Sequence, residues 1–244
     1  MTKQQGLGAY EDRYKLVFAA GALHWNDPRP NHHLSLLVRQ LPAHCNCIEF
    51  GCGEGYQARF LASQGHMVTA IDLSPTAIAK AIRETLPNQQ VRFLVGDVTD
   101  ALSLNLLGGS YELAVDIGCL HMMAKDEDRL NYLNLVYNVL KTGGRFFLQN
   151  GLDLDDVCPQ SDEEAKQLAE EKALQAKPSG HPTPRKIVTP DGERELLLPL
   201  CPACKMLSLD SYIQELASHG FRILSAERTI GVNCSYEAII VVRK

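Results

Sequence analysis

The chain has 244 residues, of which 45% are hydrophobic and 22% charged, with a formal net charge of −5. That length accommodates one large α/β domain with an elaboration and leaves too little for two full domains. The longest β-like apolar run, "AIIVV", cannot span a bilayer, and no basic-then-apolar leader opens the chain, so a soluble cytoplasmic protein with no membrane partner is expected. Residues 151–180 hold eight Asp/Glu and three Lys/Arg, an excess equal to the whole net charge. The remainder is balanced and lacks a Lys/Arg cluster, which argues against nucleic acid as the main partner. Eight cysteines in a chain of this size with no export signal are expected to be mostly reduced thiols.

Residues 1–45 read as a helical cover containing "AYEDRYKLVFAA" and the lone tryptophan, Trp25. From Asn46, apolar β runs alternate with helical patterns, the signature of βαβ units. Strand one, "NCIEF", breaks into three glycines, and a helix follows from Tyr56 to Gln64, closed by Gly65. Strand two, "HMVTAID", precedes a helix with Ser74 as N-cap and Pro75 at its first position. Strands three and four are "VRFLVG" and "YELAVDIG". A helix over 126–140 would bury Leu130, Leu133, Tyr137 and Leu140 and end at Gly143 and Gly144, before strand five, "RFFLQ". Residues 151–205 interrupt the alternation. They read as an acidic helix with a Ser161/Glu164 capping box, a Pro/Gly connector and a hairpin turning at Asp191-Gly192. Residues 206–244 supply a helix from Ser208 to His219 and two β runs joined by "GVNCS", which should pair antiparallel. The expected fold is α/β: a doubly wound, mostly parallel seven-stranded sheet over a 46–150 core, with an antiparallel edge strand and an α+β insertion after strand five.

A doubly wound sheet binds ligands beyond the carboxyl ends of its strands. Gly51, Gly53 and Gly55 are spaced G-x-G-x-G, whereas a dinucleotide pyrophosphate calls for G-x-G-x-x-G. Glu49 would repel a pyrophosphate but favours a phosphate-free ligand that carries an ammonium group. The motif "IEFGCGEG", with "DIGCLH" and the strand-end acids, resembles the class I S-adenosylmethionine (SAM) dependent methyltransferases. "GHMVTAIDLSPTAI" and "LHWNDP" are similar to the small-molecule members of thiopurine and tellurite-resistance type. The resemblance implies SAM as cofactor and a small-molecule methyl acceptor. It implies cofactor binding by Trp25, Glu49, Gly51, Cys52, Gly53, Gly55, Asp72 and Leu73, and by Asp97 and Val98 at the adenine. Asp116 and His121 then lie beside the methyl group, His121 as base or acceptor orienter and Asp116 toward the methionine ammonium.

Plainer roles stand beside these. Asp72 can initiate a helix, Asp97 can close an Asx-turn, Asp116 can terminate its strand, His121 can cap or pack, and Trp25 can be core. The insertion can be a lid, with His181 and Arg185 touching an acceptor, or a solvated decoration. Cys201 and Cys204 form C-x-x-C, but no second tight pair completes a zinc site, so no metal is expected. A non-catalytic SAM sensor and a dinucleotide-dependent oxidoreductase are the rival functions.

Overall fold

The computed structural model describes residues 3–100, 107–201, 204–230 and 236–244, with side chains from Gly8 onward. The "GVNCS" turn with Cys234, and the two residues between Cys201 and Cys204, lie outside the described residues.

Seven strands form one sheet in the order β3 (Val91–Val95), β2 (Met67–Asp72), β1 (Asn46–Phe50), β4 (Tyr111–Ile117), β5 (Leu140–Gly151), β9 (Tyr236–Arg243), β8 (Arg222–Ile230). β1 pairs in parallel with both β2 and β4, so the order reverses at β1 and opens a crevice beyond its carboxyl end. The reversed strand is β9, antiparallel to β5 and β8, and it lies one place in from the edge that β8 forms.

Helices α1 (Lys3–Ala19), α2 (His32–Val38), α3 (Tyr56–Ser63), α4 (Pro75–Glu84), α5 (Asp126–Val139), α6 (Asp162–Gln175) and α7 (Leu209–Ser218) complete the described fold. One sheet face packs Phe50, Ala114, Phe146 and Ile240 with residues of α5 and α7, while the other packs Cys47, Val68, Val115 and Phe147 with α2 and α3. Ser74 and Ser208 cap α4 and α7 through their hydroxyls, as their sequence positions imply. Ser161 caps α6 likewise, but the Glu164 carboxylate reaches back to the Gln160 N–H, one residue before the cap.

The face of α5 differs from expectation. Leu130 is 49% exposed, and the buried set is Arg129, Tyr132, Leu133, Leu135, Val136 and Val139. The stripe is turned by one residue because Arg129 pairs with Glu215 of α7 and donates to the Leu120 carbonyl, which makes a charged side chain admissible inside. The helix ends at Val139, and Gly143 and Gly144 fall within β5.

The insertion folds as α6 and a hairpin of β6 (Pro182–Thr189) and β7 (Gly192–Pro199). This hairpin packs on the N-terminal cover. Val17 and Ala22 share a small core with Ile187 and Leu198, and the Leu23 N–H donates to the Val188 carbonyl at 2.8 Å. No helix among the described residues is long and apolar enough to cross a membrane.

Candidate active site

The crevice at the carboxyl ends of β1, β2 and β4 opens into a cavity of about 1390 Å³. Trp25, Glu49, Gly51, Cys52, Asp72, Leu73, Asp97, Val98 and His121 all line it. From the covering elements come Tyr10, Arg13 and Tyr14 of α1, and Arg185 and Cys201 of the insertion. His181 is not in the wall, and neither is any residue of α6, so only the hairpin side of the insertion covers the cavity.

Glu49, one residue before the end of β1, has 4% of its surface exposed. Burial pushes its carboxyl up to about 8; the Ala58 N–H and Arg59 oppose the shift, and Asp72 and Asp116 add to it. Its Oε2 is buried without a hydrogen-bond partner, although the residue lines the cavity. Asp72, at the end of β2, accepts from the Gly53 N–H and the Ser74 N–H, each at 2.8 Å. Burial raises its pKa against those hydrogen bonds. It therefore anchors the glycine loop and initiates α4 while facing the cavity. Asp97 Oδ1 accepts from the Thr99 N–H at 2.9 Å and the Thr99 hydroxyl at 2.7 Å, an Asx-turn that sits in the cavity wall.

The three glycines have different surroundings. All have positive φ (65°, 51° and 74° for Gly51, Gly53 and Gly55), which explains the residue type. Only Gly51 lines the cavity. A Cβ on Gly53 would stand 2.5 Å from the Tyr14 hydroxyl, and one on Gly55 would stand 2.6 Å from the Phe93 ring. The bare main chain at these two positions is needed by neighbouring protein, because α1 and β3 press against the loop.

Asp116 also moves from contact to support. It is fully buried and outside the cavity wall, with its carboxylate engaged by the Tyr132 hydroxyl (2.7 Å), Asn150 Nδ2 (2.9 Å) and the Cys119 and Leu120 N–H groups. Four donors leave no lone pair directed at a methionine ammonium. Asn150 passes the order on: its Oδ1 accepts from the His121 N–H at 2.9 Å and lies 2.8 Å from His121 Nδ1. Burial lowers the His121 pKa to about 4, so the ring is neutral near pH 7 and weakly basic.

Several supporting residues were not singled out from the sequence. Glu54, within the glycine loop itself, is fully buried, accepts from the Trp25 and Asn26 N–H groups at 2.9 and 2.8 Å, and pairs with Lys80 at 3.8 Å. It fastens the Trp25 segment over the cavity. The signal was present as the one acid inside "GCGEG". Trp25 meanwhile lines the cavity and packs in the small core beneath the Arg13 guanidinium. Burial keeps the Cys52 and Cys119 thiols protonated in the wall. Cys201 receives a hydrogen bond from Arg13 Nη1, and Cys204 is exposed.

Residues 47–144 match a family model described as a methyltransferase domain. An uncharacterized methyltransferase of Schizosaccharomyces pombe is 36% identical over 92 residues, covering 37% of this chain and 61% of that protein. A ubiquinone biosynthesis O-methyltransferase of Xanthomonas axonopodis pv. citri is 30% identical over 142 residues, covering 54% of this chain and 57% of that protein. The chain thus spans about three fifths of the length of these curated relatives. The structure of Burkholderia thailandensis 1,6-didemethyltoxoflavin-N1-methyltransferase, with bound 1,6-didemethyltoxoflavin and S-adenosylhomocysteine, aligns at a TM-score of 0.63 and 18% identity over 100% of this chain and 91% of that one. Residues 47–144 are thus similar to a methyltransferase domain, and the fold of the chain is shared with a solved methyltransferase.

Proposed function

We propose that the protein transfers the methyl group of SAM to a small-molecule acceptor. The observation that carries this reading is one continuous cavity of about 1390 Å³, with carboxylates at the strand ends and aromatic and basic side chains under the cover. A single drug-sized ligand usually fills about 300–1,000 Å³, so there is room for two molecules side by side. The two relatives whose names or contents point to ubiquinone biosynthesis and to 1,6-didemethyltoxoflavin support the small-molecule class.

Bound SAM would supply an electrophilic methyl on a sulfonium. Asp72 would take the ribose hydroxyls, Asp97 and Val98 the adenine, and the unpartnered Glu49 Oε2 the ammonium. Leu73, Cys52 and Trp25 would enclose the nucleoside, and Gly51 would let it approach. Asp116 positions: through Asn150 it fixes His121 at the acceptor. A base with a pKa near 4 is poorly matched to proton abstraction at neutral pH, so His121 serves chiefly as an orienter. Positioning alone can contribute about 7–11 kcal/mol in favourable cases.

Calorimetric titration with SAM, S-adenosylhomocysteine and NAD tests the cofactor. Turnover of SAM with thiols, phenols, amines and carboxylates tests the reaction. Tighter binding of NAD would favour the oxidoreductase, and binding of SAM without turnover across the panel would favour a sensor.

A further inference from the structure

The cavity is electrically divided. Glu49, Asp72 and Asp97 lie at the strand ends, whereas Arg13 of α1 and Arg185 of β6 face the space from the cover. Arg13 is held in place: its Nη1 donates to the Pro199 carbonyl at 3.2 Å and to the Cys201 thiol, and its guanidinium stacks 5.5 Å from the Trp25 ring centre. Arg185 is different. Among the described residues it has no hydrogen bond and no ion pair, although it is half-buried. Burial and then the like charge of Arg13 lower its pKa, and the Cys201 thiol and Glu171 offset this from beyond ion-pair range. The acid on this side of the wall, Glu237, is engaged by Gln149 Nε2 at 2.6 Å. A half-buried cation pressed toward another cation, with Glu171 near but in no direct contact, is costly unless a ligand supplies a paired charge.

We propose that the methyl acceptor carries an oxyanion, a carboxylate or a phosphate, held jointly by Arg13 and Arg185 beneath the β6–β7 hairpin. The guanidinium fork matches such groups through paired N–H donors. Charge complementarity then sorts the two ligands, with the cationic cofactor at the acidic strand ends and the anionic acceptor under the basic cover. The inference rests on the methyltransferase reading and names the substrate class for the same site.

The test uses full-length protein saturated with S-adenosylhomocysteine and titrated calorimetrically with matched probes: 4-hydroxybenzoate against 4-hydroxybenzamide, and phenyl phosphate against phenol. The acid of at least one pair should bind tenfold or more tightly than its neutral partner, and the pair that discriminates tells carboxylate from phosphate. Arg185→Gln should erase that preference and Arg185→Lys should keep part of it, while the affinity for S-adenosylhomocysteine stays within twofold in both. Equal affinity within both pairs, no binding of either acid, or an unchanged preference in Arg185→Gln overturns the proposal. Failure to bind S-adenosylhomocysteine in the first place would instead overturn the methyltransferase reading.

Discussion

Replacing Glu49 with glutamine should remove a proton from the cofactor-binding equilibrium. With its carboxyl pushed up to about 8 by burial, Glu49 is about nine-tenths protonated at pH 7 in the free protein. An ammonium placed against its unpartnered Oε2 would draw the carboxyl into its charged form, so binding must release that proton. One pH unit below the pKa, the release costs about 1.4 kcal/mol, and each further unit toward acid adds the same amount. The affinity for S-adenosylhomocysteine should therefore rise about tenfold from pH 6 to pH 7 in the wild type. Glu49→Gln keeps an acceptor oxygen without the titration and should give a flat profile over the same interval. Isothermal titration in buffers of different ionisation enthalpy reads both the affinity and the proton count, which should be about 0.9 released at pH 7 for the wild type and none for the variant. A flat wild-type profile, or the same slope in both proteins, would refute the assignment of Glu49 to the ammonium.

Glu54→Ala removes the more distant of Lys80's two carboxylates, leaving Glu84 and the Leu23 carbonyl in place, and takes the acceptor from the Trp25 and Asn26 N–H groups. It should cost about 1–3 kcal/mol in urea unfolding, from the two N–H groups that lose their carboxylate, and shift Trp25 fluorescence toward the solvent-exposed value. Gly55→Ala should destabilise by about 1–3 kcal/mol, since its φ of 74° disfavours a side chain and the Cβ would meet the Phe93 ring at 2.6 Å. An unchanged unfolding midpoint would mean that the loop moves freely away from β3. His121 has a folded pKa of about 4 against about 6.5 unfolded. The unfolded chain therefore binds more protons between those values, and stability is lost as pH falls from about 6.5 toward 4. Relative to His121→Gln, the wild type should lose about 2 kcal/mol between pH 7 and pH 5, measured by denaturant midpoints. No such difference would mean that the ring takes up its proton inside the fold.

Much of the architecture was legible because it rests on local chemistry. β1 begins and ends where "NCIEF" does, Ser74 and Ser208 cap their helices, and Asp72 ends its strand beside the loop it anchors. What stayed hidden depends on residues far apart in the chain. The buried face of α5 turns on Arg129 finding Glu215, 86 residues away, and hydrophobic periodicity counts an arginine as surface. Asp116 looks like a ligand residue by position, and only the convergence of Tyr132, Asn150 and two backbone N–H groups reveals that its oxygens are engaged. Gly53 and Gly55 signal close approach without saying what approaches, and here it is Tyr14 and Phe93. The packing of the N-terminal cover on the β6–β7 hairpin joins Val17 to Leu198, which no local pattern links. The acidic helix α6 drew notice by its charge, yet its solvated face needs no ligand and the helix stays outside the cavity wall.

The most direct test of the central claim is a crystal structure of the protein grown with saturating S-adenosylhomocysteine. The account predicts the ribose hydroxyls about 2.7–3.2 Å from the Asp72 carboxylate, with the ammonium at Glu49. A nucleoside bound away from Asp72, or a crevice that stays empty of ligand density at saturation, would contradict it.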